Sequence, residues 1–259
     1  MKFLFIGDIV GKIGRKAVQE TLPGLMAEHG PDLIIANGEN AANGFGITAK
    51  IARELFDFGV DVLTSGNHIW DKKEVLEYIG QENRLLRPAN YSDSVPGSGY
   101  GVFRTKNGSL AAVLNLSGRI FMDPLDCPFK TADAVLADLK KETDLILVDF
   151  HAEATSEKMA AGWLMDGKVT AVLGTHTHVQ TADEKILPGG TAYISDVGMT
   201  GAFNSVIGMD KKISIERIKT QVPVSYRVAK GDPALNGVVL EADVSTGKAV
   251  SIERLQCKI

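Results

Sequence analysis

The sequence has few cysteines and no long apolar run. Its two cysteines, Cys127 and Cys257, lie far apart and form no CxxC or zinc-knuckle spacing, which suits a protein of a reducing compartment. The amino terminus is apolar only from Phe3 to Ile6 before Gly7 and Asp8 follow, so it resembles neither a signal peptide nor a membrane span. We therefore expect a cytoplasmic protein without a membrane partner.

An excess of positive charge is also missing. Lysine and arginine total 28 against 32 acidic residues, which gives a net charge of −4 and argues against binding to duplex DNA through bulk charge. A small or single-stranded phosphate ligand stays open. Hydrophobic residues make up 44% and charged residues 23% of the 259 residues, with no shift in composition that marks a linker. The sequence predicts one domain over residues 1–259.

Short apolar runs alternate with helical patterns in the first part of the chain. Three successive strand–helix units indicate a parallel α/β arrangement. The predicted strands are 2–6, 33–36 and 60–64, and the helices that follow them are 15–28, 49–58 (capped by Thr48) and 72–79. Further strands are predicted at 110–116, 144–150, 169–173 and 191–195, with helices at 131–141 and 157–164.

The last part of the chain shows a different pattern. A charged helix is predicted at 210–220, and alternating stretches at 222–228, 238–244 and 249–255 predict antiparallel strands. Asn236-Gly237 and Thr246-Gly247 are the turn signals between them. The irregular segment 81–108 is predicted to extend over the functional site or to cover a subunit contact.

Polar side chains follow the predicted strands at the points where they end. Four of the five histidines lie there, together with acids and amides: Asp8, Glu39, Asn40, Asn67, His68, His151, His176 and His178. Loops at the carboxyl ends of parallel strands meet at one edge of a sheet. Mixed oxygen and imidazole donors without thiolates suit two transition-metal ions, such as iron or manganese, bridged by one carboxylate. His176 and His178 project to the same side if their segment is extended.

Several of these residues have a plainer interpretation. Asp8 suits a helix cap, Asn40 and Asn67 suit turns that follow glycine, and His151 suits a group that supports a ligand without binding metal itself. Asp196, although it also follows a predicted strand, is interpreted as structural. Two histidines separated by one residue occur by chance in many proteins, so the pattern depends on the whole set.

The order of these residues resembles the calcineurin-like metallophosphoesterases over residues 1 to about 200. The resemblance departs from the family pattern at three positions: Val10 replaces a histidine, Glu39 replaces the bridging aspartate, and Ile69 replaces the acidic residue after Gly-Asn-His. With these departures, three segments are similar to the YmdB family of bacterial phosphodiesterases: Gly38-Glu39-Asn40-Ala41-Ala42, Ser65-Gly66-Asn67-His68-Ile69-Trp70-Asp71 and Gly174-Thr175-His176-Thr177-His178.

This resemblance implies a four-layer α/β/β/α sandwich with mixed sheets and an iron-type dinuclear centre, with manganese as the other candidate. It also implies hydrolysis of 2′,3′-cyclic nucleotides by a metal-bridging hydroxide and an RNA-linked role in the cytoplasm; we further expect a homo-oligomer. The implied ligands of the first ion are Asp8, Glu39 and His178, and those of the second are Glu39, Asn40, Asn67, His151 and His176. His68 is left as the proton donor.

Other functions remain open on the sequence alone. A phosphomonoesterase or nucleotidase of the same fold would use the same metals. A metal-containing regulatory protein that binds RNA would keep the metals without turnover. A barrel amidohydrolase also uses a His-x-His pair, but near the start of its barrel and not after six strands.

Overall fold

The computed structural model describes all residues from 1 to 259. The helices are α1 (Gly11–His29), α2 (Ala49–Asp57), α3 (Val75–Ile79), α4 (Pro128–Leu139), α5 (Thr155–Met165) and α6 (Lys211–Thr220). The strands are β1 (Lys2–Ile6), β2 (Asp8–Ile9), β3 (Leu33–Asn37), β4 (Val62–Thr64), β5 (Tyr100–Arg104), β6 (Leu110–Ser117), β7 (Ile146–His151), β8 (Ala171–Thr175), β9 (Lys185–Ile186), β10 (Ala192–Ile194), β11 (Met199–Ala202), β12 (Pro233–Ala242) and β13 (Ala249–Lys258).

These strands form two mixed sheets. The first has the order β2-β11-β12-β1-β3-β4, with β13 paired to β12; β1, β3 and β4 are parallel, and β12 is antiparallel to its three partners. The second has the order β5-β6-β7-β8-β10-β9, in which the four central strands are parallel and the two edge strands are antiparallel. Both sheets therefore direct several strand carboxyl ends to one side.

Apolar side chains on both faces of each sheet arrange the molecule in four layers. Residues such as Phe3, Phe5, Val113 and Leu147 pack between the sheets in one buried cluster. The outer face of the first sheet packs against α1, α2 and α3, and the outer face of the second packs against α4 and α5. The α/β/β/α order implied by the resemblance is confirmed.

Helix α1 illustrates how the sequence builds one of these layers. Ala17, Val18, Leu22 and Leu25 repeat at helical spacing and are all buried against the sheet. Gly14 faces the same way, and a Cβ atom there would overlap the carbonyl oxygen of Thr200. The helix therefore approaches β11 more closely than any larger residue would permit.

The helix boundaries differ from the predicted ones by a few residues. Helix α2 begins as predicted after Thr48, whose hydroxyl accepts a hydrogen bond from the Ile51 amide at 3.2 Å. Helix α1 begins four residues earlier than predicted, and α3 begins at Val75 where the prediction began at 72. No helix combines the length and apolar composition that a membrane-spanning segment requires.

Two predictions for the last part of the chain are wrong. Residues 222–228 form no strand apart from one bridge between Val228 and Met209. Asn236-Gly237 is no turn but lies inside β12, where Gly237 pairs with Ile6. A Cβ atom at Gly237 would lie 2.7 Å from the Phe5 carbonyl oxygen, so this glycine permits close strand approach. The turn at Thr246-Gly247 is confirmed between β12 and β13.

The irregular segment 81–108 does not cover the candidate site. Its first part runs beside β4, where Leu63 and Leu85 form a bridge, and its last part forms the edge strand β5. No residue of this segment lines the cavity described below. Its apolar residues Leu85 and Leu86 are buried and complete the core, which explains why the segment follows the edges of the sheets.

Candidate active site

The residues predicted from strand ends meet at one edge of the two sheets. Asp8 begins β2, Glu39 and Asn40 follow β3, and Asn67 and His68 follow β4. From the second sheet, His151 ends β7, and His176 and His178 follow β8. The structure brings all eight residues into one connected set, which His68 joins through its backbone amide. They meet because the carboxyl ends of the parallel strands of both sheets lie at the same edge of the molecule.

One half of the set surrounds the imidazole of His151. Its Nε2 lies 3.1 Å from Glu39 Oε1, 3.1 Å from Asn67 Oδ1 and 3.0 Å from His176 Nδ1. The ligand atoms of Glu39, His151 and His176 all lie within 4.8 Å of one another. A single cation has room to contact all four side chains.

The other half contains Asp8, Asn40 and His178. His178 Nε2 lies 3.9 Å from Asp8 Oδ1 and 3.2 Å from Asn40 Nδ2, and the same amide nitrogen lies 3.0 Å from Glu39 Oε1. This differs from the implied ligand sets, which assign Asn40 to the ion held by His151. The β3–α2 loop, residues 38–48, places the Asn40 amide beside His178, so we group Asn40 by distance with Asp8, Glu39 and His178, and the division of ligands between two ions stays a prediction.

Each of the three inner imidazoles has a partner on its outer nitrogen. His151 Nδ1 lies 2.8 Å from Thr175 Oγ1, which in turn donates to Asp149 Oδ1 at 2.7 Å. His176 Nε2 lies 3.2 Å from Glu153 Oε2, and His178 Nδ1 lies 2.9 Å from the Ile207 carbonyl oxygen. Such acceptors fix the orientation of each ring, so that a neutral ring directs the lone pair of its inner nitrogen to a metal ion.

The electrostatics of the set are those of a cation site. Burial raises the pKa of Asp8, and the imidazoles of His178 and His151 offset this only in part. Burial also acts to raise the pKa of Glu39, but the nearby imidazoles of His151, His68 and His176 together outweigh it and lower that pKa to about 2. Burial acts to lower the pKa of His151, but the Glu39 and Asp8 carboxylates outweigh it and raise that pKa to about 9, so a proton on this ring balances the acids when no cation is bound. Burial and the adjacent His151 lower the pKa of His176 to about 3, which keeps its ring neutral and able to ligate.

The donor set fits a pair of transition-metal ions. Asp8 Oδ1 and Asn40 Oδ1 are buried without any hydrogen-bond partner, a costly state for polar atoms. No lysine or arginine lines the cavity to balance Asp8 and Glu39. Because the donors are carboxylates, amides and imidazoles without thiolates, they suit iron or manganese better than a structural zinc ion.

The loop that carries His176 and His178 is not extended as predicted. Both residues have positive φ, 98° for His176 and 67° for His178, a conformation that costs non-glycine residues about 1–3 kcal/mol each. Asp196 holds the loop by accepting from the Thr177 amide at 3.0 Å and its hydroxyl at 2.6 Å. Asp196 is paired with the buried Lys158 ammonium at 2.7 Å, so the structural role predicted for Asp196 is confirmed.

His68 is placed differently from the other histidines. Its amide donates to Glu39 Oε2 at 3.1 Å, while its ring lines the cavity. Nδ1 of the ring lies 2.9 Å from Asp71 Oδ2, which leaves Nε2 available to a ligand. Ile69, which replaces the acidic residue expected directly after Gly-Asn-His, cannot pair with the His68 ring. Asp71, three residues after His68, supplies the carboxylate instead.

Several residues around the site were missed in the sequence. Asp71 supports His68, and its place three residues after that histidine was the available signal. Glu153 supports His176 although it lies two residues after His151, so the local sequence did not indicate its partner. The cavity has a volume of about 330 Å³. Its remaining wall comes from the β3–α2 loop and from residues 206–226, and it includes Phe45, Val206, Ile207, Met209, Ser214 and Tyr226. Nothing in the local sequence pattern of residues 206–226 indicated this location.

Solved structures of similar fold show the class of protein to which this chain belongs. The fold is that of a calcineurin-like phosphoesterase: the structure of YfkN from Bacillus subtilis, described by that term, superposes with a TM-score of 0.60 at 12% identity, covering 100% of this chain and 90% of that one. The structure of a phosphatase from Mycoplasma pneumoniae superposes with a TM-score of 0.93 at 39% identity, covering 100% of this chain and 93% of that one. This protein is therefore an enzyme of the phosphoesterase class.

The sequence comparison is more specific. Residues 4–255 match the family of YmdB-like proteins. The chain is 52% identical over 255 residues to the 2′,3′-cyclic-nucleotide 2′-phosphodiesterase of Bacillus subtilis, an alignment that covers 98% of this chain and 96% of the relative. The chain belongs to the YmdB-like family.

Proposed function

We propose that the protein hydrolyses 2′,3′-cyclic nucleotides as a dinuclear-metal phosphodiesterase. The observation that supports this most strongly is the convergence of two buried carboxylates, two amides and three imidazoles at one edge of the two sheets. Glu39, Asn40, His176 and His178 of this set line a cavity of about 330 Å³, and His68 lies beside them. The 52% identity to an enzyme named for that activity supports the substrate class.

We assign the first ion to Asp8, Glu39, Asn40 and His178, and the second to Glu39, Asn67, His151 and His176. Bound there, two iron ions, or manganese ions as the second choice, would supply positive charge that neutralises a phosphoryl group and lowers the pKa of water. Glu39 lies between the two groups, because its Oε1 lies 3.0 Å from the Asn40 amide nitrogen and 3.1 Å from His151 Nε2. A half-turn of the Asn40 amide exchanges its nitrogen and oxygen and presents an acceptor to the cation.

In the proposed reaction, water attacks phosphorus while the bond from phosphorus to O2′ breaks. His68 Nε2 donates the proton that O2′ needs to leave as a hydroxyl, and Asp71 holds the ring so that Nε2 faces the cavity. The attacking water gives up one proton to solvent and His68 regains one from solvent, so the net reaction adds one water molecule and the product is the nucleoside 3′-phosphate. The backbone amide of His68 is fixed to Glu39, so the proton donor and the shared metal ligand keep a constant separation.

The substrate assay that tests this uses three esters on the metal-loaded enzyme. We expect turnover of 2′,3′-cyclic AMP to 3′-AMP, slower turnover of bis-p-nitrophenyl phosphate, and little turnover of p-nitrophenyl phosphate, with products separated by chromatography. Preferential hydrolysis of the monoester would instead identify a phosphatase. Absence of turnover with all three esters would favour an RNA-linked binding protein that retains the metals.

A further inference from the structure

One wall of the cavity has no role in the proposed cleavage of the bond from phosphorus to O2′. The metal-ligand side is polar, whereas the wall beside it includes the apolar and aromatic residues Phe45, Val206, Ile207, Met209 and Tyr226. A cavity of about 330 Å³ is at the lower end of the range that holds a small organic ligand. A phosphate group alone would fill only part of it, so the apolar wall is available to the rest of the substrate.

The apolar wall begins at the proposed proton donor. The Phe45 ring contacts the His68 ring edge to face, with centroids 5.0 Å apart, and Phe45 and Tyr226 have centroids 6.4 Å apart with an angle of 36° between their planes. His68 must face the leaving oxygen, which in a 2′,3′-cyclic nucleotide belongs to the nucleoside. The nucleoside therefore lies on the side of Phe45 and Tyr226.

A buried hydroxyl without a partner lies in the same wall. Ser214, in the first turn of α6, lines the cavity and is 2% exposed, and its Oγ has no hydrogen-bond partner. A buried polar atom left in this state costs about 1–3 kcal/mol. A polar atom of a bound ligand would remove that cost, whereas a purely apolar ligand would not.

The wall is held in place by its own contacts. The Arg217 guanidinium lies 4.4 Å from the Tyr226 ring centroid and donates to the Val224 carbonyl oxygen at 3.3 Å. At Gly44, with φ of +91°, a Cβ atom would lie 2.9 Å from Met209 Cε, so the Phe45 loop rests closely on this segment. The two aromatic rings thus form a preformed surface.

We infer that Phe45, Tyr226 and Ser214 form a nucleoside subsite, in which the base packs on the two rings and the Ser214 hydroxyl bonds to a polar atom of the base. This inference rests on the proposed function, because it needs the cyclic phosphate at the metal side. Stacking of a base on an aromatic side chain increases affinity by a factor of about 5 to 150. One hydrogen bond is equivalent to about 2- to 13-fold.

The test compares two five-membered cyclic phosphodiesters, 2′,3′-cyclic AMP and glycerol 1,2-cyclic phosphate, which lacks a base. For Tyr226→Leu, we expect the ratio of kcat/KM for the nucleotide to that for the glycerol ester to fall about 5- to 150-fold, mainly through KM. Ser214→Ala should lower the same ratio about 2- to 13-fold. Ser225→Ala, at an exposed neighbour of Tyr226, is the matched control and should keep the wild-type ratio.

The outcomes separate this inference from the proposed function. Wild-type enzyme that hydrolyses both esters without preferring the nucleotide would overturn the subsite and leave the phosphodiesterase intact. An unchanged ratio in folded Tyr226→Leu and Ser214→Ala proteins, with metal content equal to wild type, would also overturn it. No turnover of either cyclic ester would overturn the proposed function and the subsite together.

Discussion

At the scale of single residues, His68 is the histidine of the site most open to a ligand. Its side chain is 29% exposed, whereas that of His151 is fully enclosed by other site residues. An imidazole that is close to the metal ligands but free of them suits proton transfer. The sequence predicted the position of His68 through Gly66-Asn67-His68, but not its Asp71 partner.

His68→Ala removes the proposed proton donor and should leave the metal ligands in place. Because general acid catalysis contributes about 10²- to 10⁴-fold, we expect kcat for 2′,3′-cyclic AMP to fall by that factor while metal content stays near that of wild type. Steady-state kinetics and elemental analysis measure the two quantities. His29→Ala, at the carboxyl end of α1, is the control. Wild-type turnover in the His68 variant would refute the assignment.

Gly66 is a second position where a single added side-chain atom would disrupt the site. A Cβ atom there would overlap both the His151 ring and the Glu39 carboxylate. We expect Gly66→Ala to lose bound metal and activity and to lower the free energy of unfolding by about 1–3 kcal/mol. Gly24→Ala is the matched control, since Gly24 lies in α1 with no atom within 4 Å of a new Cβ. That change should stabilise the protein by about 0.5–1 kcal/mol.

At the scale of elements, strand ends were predictable and loop conformations were not. The apolar runs before Glu39, Asn67 and His176 located the carboxyl ends of β3, β4 and β8 because buried parallel strands have a distinct composition. His176 and His178 have positive φ, and Asp196, which follows β10, holds their loop through Thr177. The sequence around the two histidines does not show that a distant aspartate bonds to their loop. A turn was predicted at Asn236-Gly237, but Gly237 lies inside β12. Glycine permits both a turn and a close approach between strands, so the residue type alone does not distinguish the two.

The Lys158–Asp196 pair connects α5 to the loop after β8. Lys158→Ala would leave Asp196 buried without a counter-charge, and we expect the free energy of unfolding to fall by about 3–5 kcal/mol, measured by urea denaturation. Metal content should also fall, because Asp196 fixes Thr177 between the two histidines. Lys141→Ala tests an exposed pair with Asp138, whose side chains are 73% and 68% exposed, and should leave stability within error. Equal effects of the two substitutions would contradict this account.

At the scale of the whole molecule, the order of elements could be predicted but the position of the cavity wall could not. Alternating strands and helices indicated parallel sheets, and the resemblance implied their packing in four layers. The wall instead depends on how residues 203–228 return across the site from β11 to β12. That path is set by contacts such as Gly44 with Met209, which joins parts of the chain far apart in sequence, and by contacts within the segment such as Tyr226 with Arg217.

The metal ions should stabilise the whole fold as well as supply chemistry. Asp8, Glu39 and His151 join both sheets and are completely buried, so their charges need a cation or must be neutralised by protons. At a metal concentration 100 times Kd, binding to the folded state alone contributes about 2.7 kcal/mol, or roughly 5–10 °C in Tm for a protein of this size. We therefore expect the Tm to fall by that amount after chelation and to recover when Mn²⁺ is added.

Glu39→Gln provides the control for this measurement. It preserves the shape of the side chain but removes the charge that both groups of ligands share, so its Tm should respond much less to chelation and to Mn²⁺. Calorimetry of both proteins, with and without metal, gives the comparison. If the wild-type Tm were the same in the stripped and loaded states, the buried acids and imidazoles would be balanced without a cation. The proposed metal centre, and the hydrolysis that depends on it, would then be wrong.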